Sequence, residues 1–264
     1  MTLRAPTKKP IVLPGVHPNQ GLEAAYRKRL DALIDEMHKS IAYWLKALYR
    51  ANAPEMAKDA SPAIELRDAF RKLSRRWQKR FDDAAPDLAK YFTSHAAGRA
   101  DNALKDILKR AGFSVEFNLT REANDVLQAT MSEQVGLIKS IASQHLTEVQ
   151  GLVMRSVADG RDLGTLAKGL EDRYGITKRR AALIARDQNN KATATITRVR
   201  QDSLGITEAV WMHSHAGKHP RPSHVAANGK RYTIKEGMYL DGVWTWPGRE
   251  IGCRCISKSV IPGL

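Results

Sequence analysis

The sequence predicts an α+β fold, in which a mainly α-helical body is followed by a small β-rich C-terminal module. Apolar residues recur at helical spacing up to about residue 204. After Gly205 this periodicity ends, and short segments rich in β-branched and aromatic residues alternate with turn dipeptides. At 264 residues the chain can bury a sizeable core without the help of a metal or a disulfide.

The chain divides into four predicted regions. They are an extended arm at residues 1–20, an N-terminal helical region at 21–119, a second helical part at 120–205 and the β-rich module at 206–264. The arm holds four of the eleven prolines and shows no sustained periodicity. The boundary near 119 is placed at the alternating stretch SVEFNLT, which predicts a short strand or an extended linker.

Caps and breakers set the predicted ends of six helices. Ser61-Pro62 opens the second helix, Ala85-Pro86 separates it from the third, and Thr120 caps the fourth. Glycines at 112, 175 and 205 close the third, fifth and sixth helices. The resulting predictions are helices at 21–51, 61–81, 87–112, 120–157, 162–174 and 177–204.

The second helix carries the segment RKLSRRWQKR, which has one strongly basic face. Phe70, Leu73, Trp77 and Phe81 share the opposite, apolar half of the helical wheel. The basic face is either a solvated surface or a contact for phosphates or for an acidic partner. Its residues are Arg71, Lys72, Arg75, Arg76, Lys79 and Arg80.

The whole chain is basic, with 43 Lys and Arg against 28 Asp and Glu, a formal charge of +15 and a pI near 9.9. This excess either serves solubility alone or attracts a polyanion, of which nucleic acid is the commonest. The sequence contains no run of eighteen apolar residues, which argues against a membrane partner. The start lacks the apolar stretch of a signal peptide, so we expect a cytoplasmic protein with reduced cysteines.

The segment HSHAGKHPRPSHVAANGK and the later GCRC concentrate metal-ligand chemistry in the last fifty residues. Four histidines fall within twelve residues, and both cysteines form a C-x-C. Two close donor pairs are typical of a structural zinc site, for which His213 with His215 is one alternative histidine pair. Two other kinds of site remain open, namely a polar loop without metal and a Cys-His nucleophilic site. A His-Asn-His nuclease is disfavoured, because it would need a histidine after Asn228 and the sequence has none there. The favoured zinc ligands are His219, His224, Cys253 and Cys255.

The same segments resemble a known family, in order and in spacing. Trp211, His219-Pro-Arg-Pro-Ser-His224, Asn228-Gly229-Lys230, Pro247-Gly248 and Cys253-Arg-Cys255 are similar to the C-terminal signature of the phage Mu F-like minor head proteins, also called the phage head morphogenesis family. The resemblance covers about residues 120–264. Other members commonly have Asp in place of His219, and some have C-x-x-C where this chain has residues 221–224.

The resemblance implies a low-copy structural protein of the tailed-phage head, without catalytic residues. It implies partnership with the portal protein and other head proteins, sequence-independent contact with double-stranded DNA, and a path from the host cytoplasm into the virion head. Part of the signature is then structural, with tryptophans at 211, 244 and 246 filling a small core. The structural residues are Trp211, Arg221, His224, Asn228, Gly229, Cys253 and Cys255.

The alternative is a DNA-processing nuclease or a toxin-like enzyme that uses the histidine cluster. Such an enzyme needs a general base and a charge-stabilising group at one phosphate. The cluster offers no carboxylate pair for magnesium, because Asp241 and Glu250 are isolated in the sequence. The candidate catalytic residues would be His213, His215, His224 and Arg221.

Overall fold

The structure, a computed structural model, describes residues 9–51, 62–159, 163–217 and 219–262. Long helices combine with a small antiparallel sheet, most of which follows them in the chain, and this confirms the predicted α+β class. The elements are β1 (Ile11–Val12), α1 (Gln20–Ala51), α2 (Pro62–Arg110), α3 (Arg121–Ala158), α4 (Leu163–Ser203), β2 (Glu208–Met212), α5 (Pro222–Ala226), β3 (Arg231–Thr233), β4 (Met238–Leu240), β5 (Val243–Thr245) and β6 (Ile256–Ile261).

The chain forms two compact units, each assembled from separate segments. The sheet unit consists of Met1–Glu23, Tyr91–Thr130 and Arg186–Leu264. The helical unit consists of Ala24–Lys90 and Met131–Ala185. The predicted boundaries at 20, 119 and 205 follow changes of secondary structure and stay predictions.

The first predicted helix is confirmed as α1. Asn19 caps it, because its Oδ1 accepts a hydrogen bond of 2.8 Å from the backbone N–H of Leu22. Apolar residues on one stripe of α1 are fully buried, which explains why the segment is helical over so many turns. In the helical unit this stripe includes Leu30, Ile34, Met37, Ile41 and Leu45.

The predicted break between the second and third helices is wrong, because α2 runs without interruption past Pro86. A proline inside a helix removes one backbone hydrogen bond and crowds the preceding turn. Phe81, Ala85 and Ala89 are nevertheless all buried, so the apolar stripe continues across Pro86. The burial of that stripe outweighs the cost of the proline. The predicted end holds, since Gly112 follows α2 with a φ of +91°.

A second predicted break, at Gly175, is also wrong, since α4 includes this residue. The reason is again burial that continues past the residue that usually ends a helix, and Thr177 Oγ1 donates a hydrogen bond of 2.9 Å to the carbonyl of Arg173 within the continuous helix. Leu170 and Ala181, on either side, are buried. Two other predicted helix ends match the structure. Thr120 Oγ1 accepts a hydrogen bond from the N–H of Ala123 at the start of α3, and Gly205, which follows α4, has a φ of +70°.

The main sheet has the strand order β1-β6-β2-β3, and every neighbouring pair is antiparallel. The central pair is β2 with β6, in which Trp211 lies opposite Ser257. β4 and β5 form a separate hairpin whose two-residue turn is Asp241-Gly242, both with positive φ, as expected of a type I′ turn.

The predicted arm is extended but does not stay loose where it is described. β1 pairs with β6, with Ile11 opposite Ile261 and Val12 opposite Val260. Leu13 is buried in a cluster with Leu108 from the end of α2. Residues 1–8 of the predicted arm lie outside the described residues.

The stretch SVEFNLT forms no strand and runs as an extended connection between α2 and α3. Arg200 holds it, because its Nη1 donates a hydrogen bond of 2.7 Å to the carbonyl of Asn118. The same guanidinium forms two bonds of 2.8 Å to the carboxylate of Asp101. A single buried arginine therefore ties this connection to both α2 and α4.

The three tryptophans of the C-terminal module have different environments. Trp211 is 0% exposed and packs edge-on against His224 and Tyr232. Trp246 is partly buried, and its Nε1 donates a hydrogen bond of 2.8 Å to the carbonyl of Ile234. Trp244 is 55% exposed, so the prediction that all three fill one core is wrong for this residue. As part of the exposed hairpin face, it pairs with Tyr239 instead.

Candidate functional site

One imidazole and two thiols converge inside the C-terminal module. His224 lies in α5, and Cys253 and Cys255 lie just before β6. His224 Nδ1 is 3.4 Å from the sulfur of Cys253 and 3.8 Å from that of Cys255. The three donor atoms all lie within 4.8 Å of one another, and all three residues are buried.

The short helix that carries His224 is fixed to the central strand of the sheet. Pro222 occupies its first turn, where a missing N–H costs nothing. After the helix, Gly229 has a φ of +80° and its N–H donates a bond of 2.8 Å to the carbonyl of Trp211. Asn228 Oδ1 accepts a bond of 2.9 Å from the N–H of His213. The Asn228-Gly229 turn therefore positions α5 against the end of β2.

The loop that carries the cysteines is held at several points. Arg221 Nη2 donates a hydrogen bond of 3.0 Å to the carbonyl of Ile251, so this residue has a structural contact. From α4, Asp187 accepts a bond from the N–H of Gly252, and Asn190 Nδ2 donates one of 3.2 Å to the carbonyl of Cys253. No contact was predicted from the sequence for Asp187 and Asn190. Both are polar residues that are buried on a helix, and buried polar side chains usually have a specific hydrogen-bond partner.

A cavity of about 630 Å³ opens beside the three donors. It is basic and rich in histidine, because Arg186, Arg221, Arg254, His213 and His219 contribute to its wall together with the three donors. His219, one of the four predicted zinc ligands, is exposed and is not part of the group of three. His213 is buried, and its Nδ1 accepts a hydrogen bond of 3.1 Å from the N–H of His215.

The two thiols have very different proton affinities. A hydrogen bond with the side chain of Cys255 is the main cause that lowers the pKa of Cys253. The pKa of Cys255 is raised, first by the same interaction and then by burial. Backbone hydrogen bonding from Cys255 and Gly248 also lowers the pKa of Cys253, and that from Ser214 acts in the same direction on the pKa of Cys255. The surroundings therefore favour at least one thiolate.

The carboxylates of this region do not join the group. Asp241 Oδ2 accepts a hydrogen bond of 2.6 Å from Ser223, and Glu250 Oε1 accepts one of 2.9 Å from Thr245. In the part of the chain that the structure describes, the ligand group at this site consists of nitrogen and sulfur donors alone. Such a set suits zinc rather than magnesium.

The predicted basic face lies in α2, within the helical unit. All six basic residues are exposed, and Phe70, Leu73, Trp77 and Phe81 on the other half are buried. Arg71, Lys79 and Arg80 form ion pairs with Asp68, Asp83 and Glu36. Among the described residues, no carboxylate lies within 4.0 Å of the side-chain nitrogens of the other three. These three cations are Lys72, Arg75 and Arg76.

Comparisons with known proteins agree with the resemblance. Residues 147–257 match the family model described as phage Mu protein F like protein. An uncharacterized protein of Haemophilus influenzae is 27% identical over 244 residues, a match that covers 90% of this chain and 53% of that protein. The chain thus spans about half the length of this curated relative. No solved structure matches the chain.

None of the helices in the ranges that the structure describes combines the length and the apolar composition needed to cross a bilayer.

Proposed function

Because the match of residues 147–257 to phage Mu protein F like proteins indicates a phage head morphogenesis protein, we propose that this chain is a minor structural protein inside the head of a tailed phage. It acts in head assembly through association with the portal and other head proteins. It also contacts double-stranded DNA without sequence preference. The protein works in the host cytoplasm during assembly and then inside the virion head.

The family match is the observation that carries this proposal. The matched region contains the whole of α4, α5 and the β2, β3, β4 and β5 strands, together with the three buried donors. These parts depend on one another through the bonds from Asp187 and Asn190 to the cysteine loop. A scaffold of this kind fits an architectural role, since its polar residues are engaged in holding the backbone.

Net charge and the basic face support DNA contact. A chain of charge +15 inside a DNA-filled shell is attracted to phosphates, and each contact releases counterions. Lys72, Arg75 and Arg76 have no neighbouring carboxylate among the described residues, so a phosphate does not have to displace an ion pair to reach them. The paired residues Arg71, Lys79 and Arg80 on the same helix would have to exchange a partner.

The pairing pattern gives a matched experiment. We expect the variant Lys72→Ala/Arg75→Ala/Arg76→Ala to bind double-stranded DNA more weakly. The magnitude of its slope of log affinity against log salt concentration should fall by about 3, which is about 1 for each lost phosphate contact. The control Arg71→Ala/Lys79→Ala/Arg80→Ala removes the same charge from the same helix and should lose clearly less. Fluorescence anisotropy at several salt concentrations measures both. Equal losses in the two variants would mean that net charge, and not this set of cations, determines binding.

The same protein preparation tests the proposal against an enzyme. Plasmid DNA incubated with and without divalent metals should stay uncut and be retained in a salt-sensitive way. Cleavage that disappears in His224→Ala would instead support a nuclease. For the portal, mass analysis of purified heads from the phage that encodes the chain should find it together with the portal protein. Heads that contain portal protein but lack this chain would contradict the assembly role.

A further inference from the structure

We propose that His224, Cys253 and Cys255 bind one zinc ion, whose fourth coordination position faces the basic cavity and holds an exchangeable ligand. The inference does not rest on the proposed function, because it uses only the geometry of the sheet unit. It replaces the four-ligand set expected from the sequence by three protein ligands, with His219 left outside.

The distances between the donors fit a tetrahedral zinc site. Zinc lies about 2.3 Å from thiolate sulfur and about 2.0–2.1 Å from imidazole nitrogen, so tetrahedral angles place sulfur and nitrogen about 3.6 Å apart. The two sulfur–nitrogen distances at His224 Nδ1 are 3.4 and 3.8 Å, on either side of that value. Two of the three donor–donor distances therefore match a tetrahedral zinc site, and the two sulfurs lie within 4.8 Å of each other.

Two sulfurs approach the same Nδ1 of His224. A ring nitrogen forms one hydrogen bond at a time, as a donor or as an acceptor. A metal ion would satisfy all three donors together, because the imidazole nitrogen and the two thiolate sulfurs can each offer it a lone pair.

The backbone around the three donors is held in place by hydrogen bonds from outside the group, as second partners commonly hold metal ligands. The loop at residues 250–253 and the helix α5 are both held by specific hydrogen bonds, so the three ligands keep their positions.

The fourth side of the site is open to the cavity. The cavity wall contains all three donors, so the position opposite them faces its interior. Three arginines, Arg186, Arg221 and Arg254, line the same space and favour an anionic or solvent-derived ligand there. His219 also reaches this wall but is exposed, which makes it the natural control.

The first test measures metal content in the full chain, purified without a histidine tag. We expect about one zinc per chain by mass spectrometry of the metal. In competition with a chromogenic chelator, His224→Ala should weaken zinc binding by at least about tenfold, because losing even a residue that only hydrogen-bonds to a metal ligand costs about 10–100-fold in affinity. His219→Ala should bind zinc like the unmodified chain. Zinc retention in His224→Ala, or its loss in His219→Ala, would overturn the ligand assignment.

The second test does not depend on whether a variant folds. Cobalt substituted into the unmodified chain should show thiolate charge-transfer bands, which can arise from Cys253 and Cys255 alone because the chain has two cysteines. Added azide should shift the visible bands if the fourth ligand exchanges. A folded chain with reduced thiols that takes up neither zinc nor cobalt would refute the site. Bands that are insensitive to azide would refute the open position.

Discussion

The long helices and the C-terminal module respond in opposite ways to residues that usually interrupt structure. Pro86 and Gly175 lie inside α2 and α4 and interrupt neither helix. In the module, Gly229, Gly237 and Gly248 all have positive φ, and each marks a turn. The same residue type therefore means different things in the two regions.

The difference lies in what competes with the local preference. An apolar stripe buried over many turns stabilises a helix by far more than a single breaker costs, which is about 1 kcal/mol for glycine and about 3 kcal/mol for proline. Strands of three to six residues bury much less, so the turns between them follow local chemistry. Breakers are reliable guides only where little buried surface continues past them.

The largest expected effect concerns the core of the module, which depends on one large side chain. Trp211→Ala should destabilise the protein by about 3–5 kcal/mol, because a fully buried aromatic residue leaves a cavity. Trp244→Ala removes the same side chain from an exposed position and should cost less than about 1 kcal/mol. Denaturant unfolding followed by circular dichroism compares the two. Similar losses would show that the exposed hairpin face also contributes to the core.

The next effect compares two glycines directly. Gly237 has a φ of +85°, and a Cβ there would lie 2.5 Å from the carbonyl oxygen of Thr245, so Gly237→Ala should cost about 2 kcal/mol or more. Gly175 lies inside α4, where a Cβ would meet only the end of the Arg179 side chain at 3.4 Å. Gly175→Ala should therefore stabilise by about 0.5–1 kcal/mol. Melting temperatures should move in opposite directions, and a loss of stability in Gly175→Ala would contradict the idea that α4 merely tolerates its glycine.

The third effect concerns a buried histidine in the helical unit rather than a residue of the C-terminal module. His145 is buried in α3, and its Nδ1 lies 2.8 Å from Thr177 Oγ1. That hydroxyl donates its only hydrogen to the carbonyl of Arg173, so Nδ1–H of His145 donates to Thr177. Nε2 is then unprotonated and has no hydrogen-bond partner among the described residues. Burial lowers the pKa of His145 to about 4, with a smaller contribution from His38.

This histidine predicts a pH dependence of stability. The folded-state pKa lies below the unfolded value of about 6.5, so the stabilisation is complete above pH 6.5 and is lost as the pH falls towards about 4. The loss should approach about 1 kcal/mol per pH unit within this window. His145→Gln should reduce the slope, while His17→Gln, at an exposed position, should leave it unchanged. Equal slopes in all three proteins would show that carboxylates alone cause the acid sensitivity.

Local sequence signals predicted those parts of the fold that depend on local interactions. The first helix, the cap at Thr120 and the end of α4 at Gly205 were all predicted from short segments, and the structure confirms them. The lengths of α2 and α4 were not predicted, because they depend on burial that no single segment displays. The pairing of β1 with β6 was also not predicted, because it joins two segments that lie far apart in the sequence.

The candidate site was predicted in part. Sequence spacing identified His224, Cys253 and Cys255 as candidate metal ligands, and the structure places their donor atoms together. It could not choose among four neighbouring histidines, because that choice depends on the turn of α5 and on the bonds of the Asn228-Gly229 segment to β2. Nor could it assign Asp187 and Asn190, whose partners are backbone atoms of a loop far along the chain.

The pairing of Ile11 with Ile261 has a consequence for how the protein is made. During translation, the first strand leaves the ribosome long before its partner strand exists. Contacts between such distant segments also form slowly, since a long loop must close first. The edge of the sheet can therefore be completed only after residue 261 has emerged, whereas the contacts of Leu13 and Val16 with Leu104 and Leu108 of α2 can form well before then.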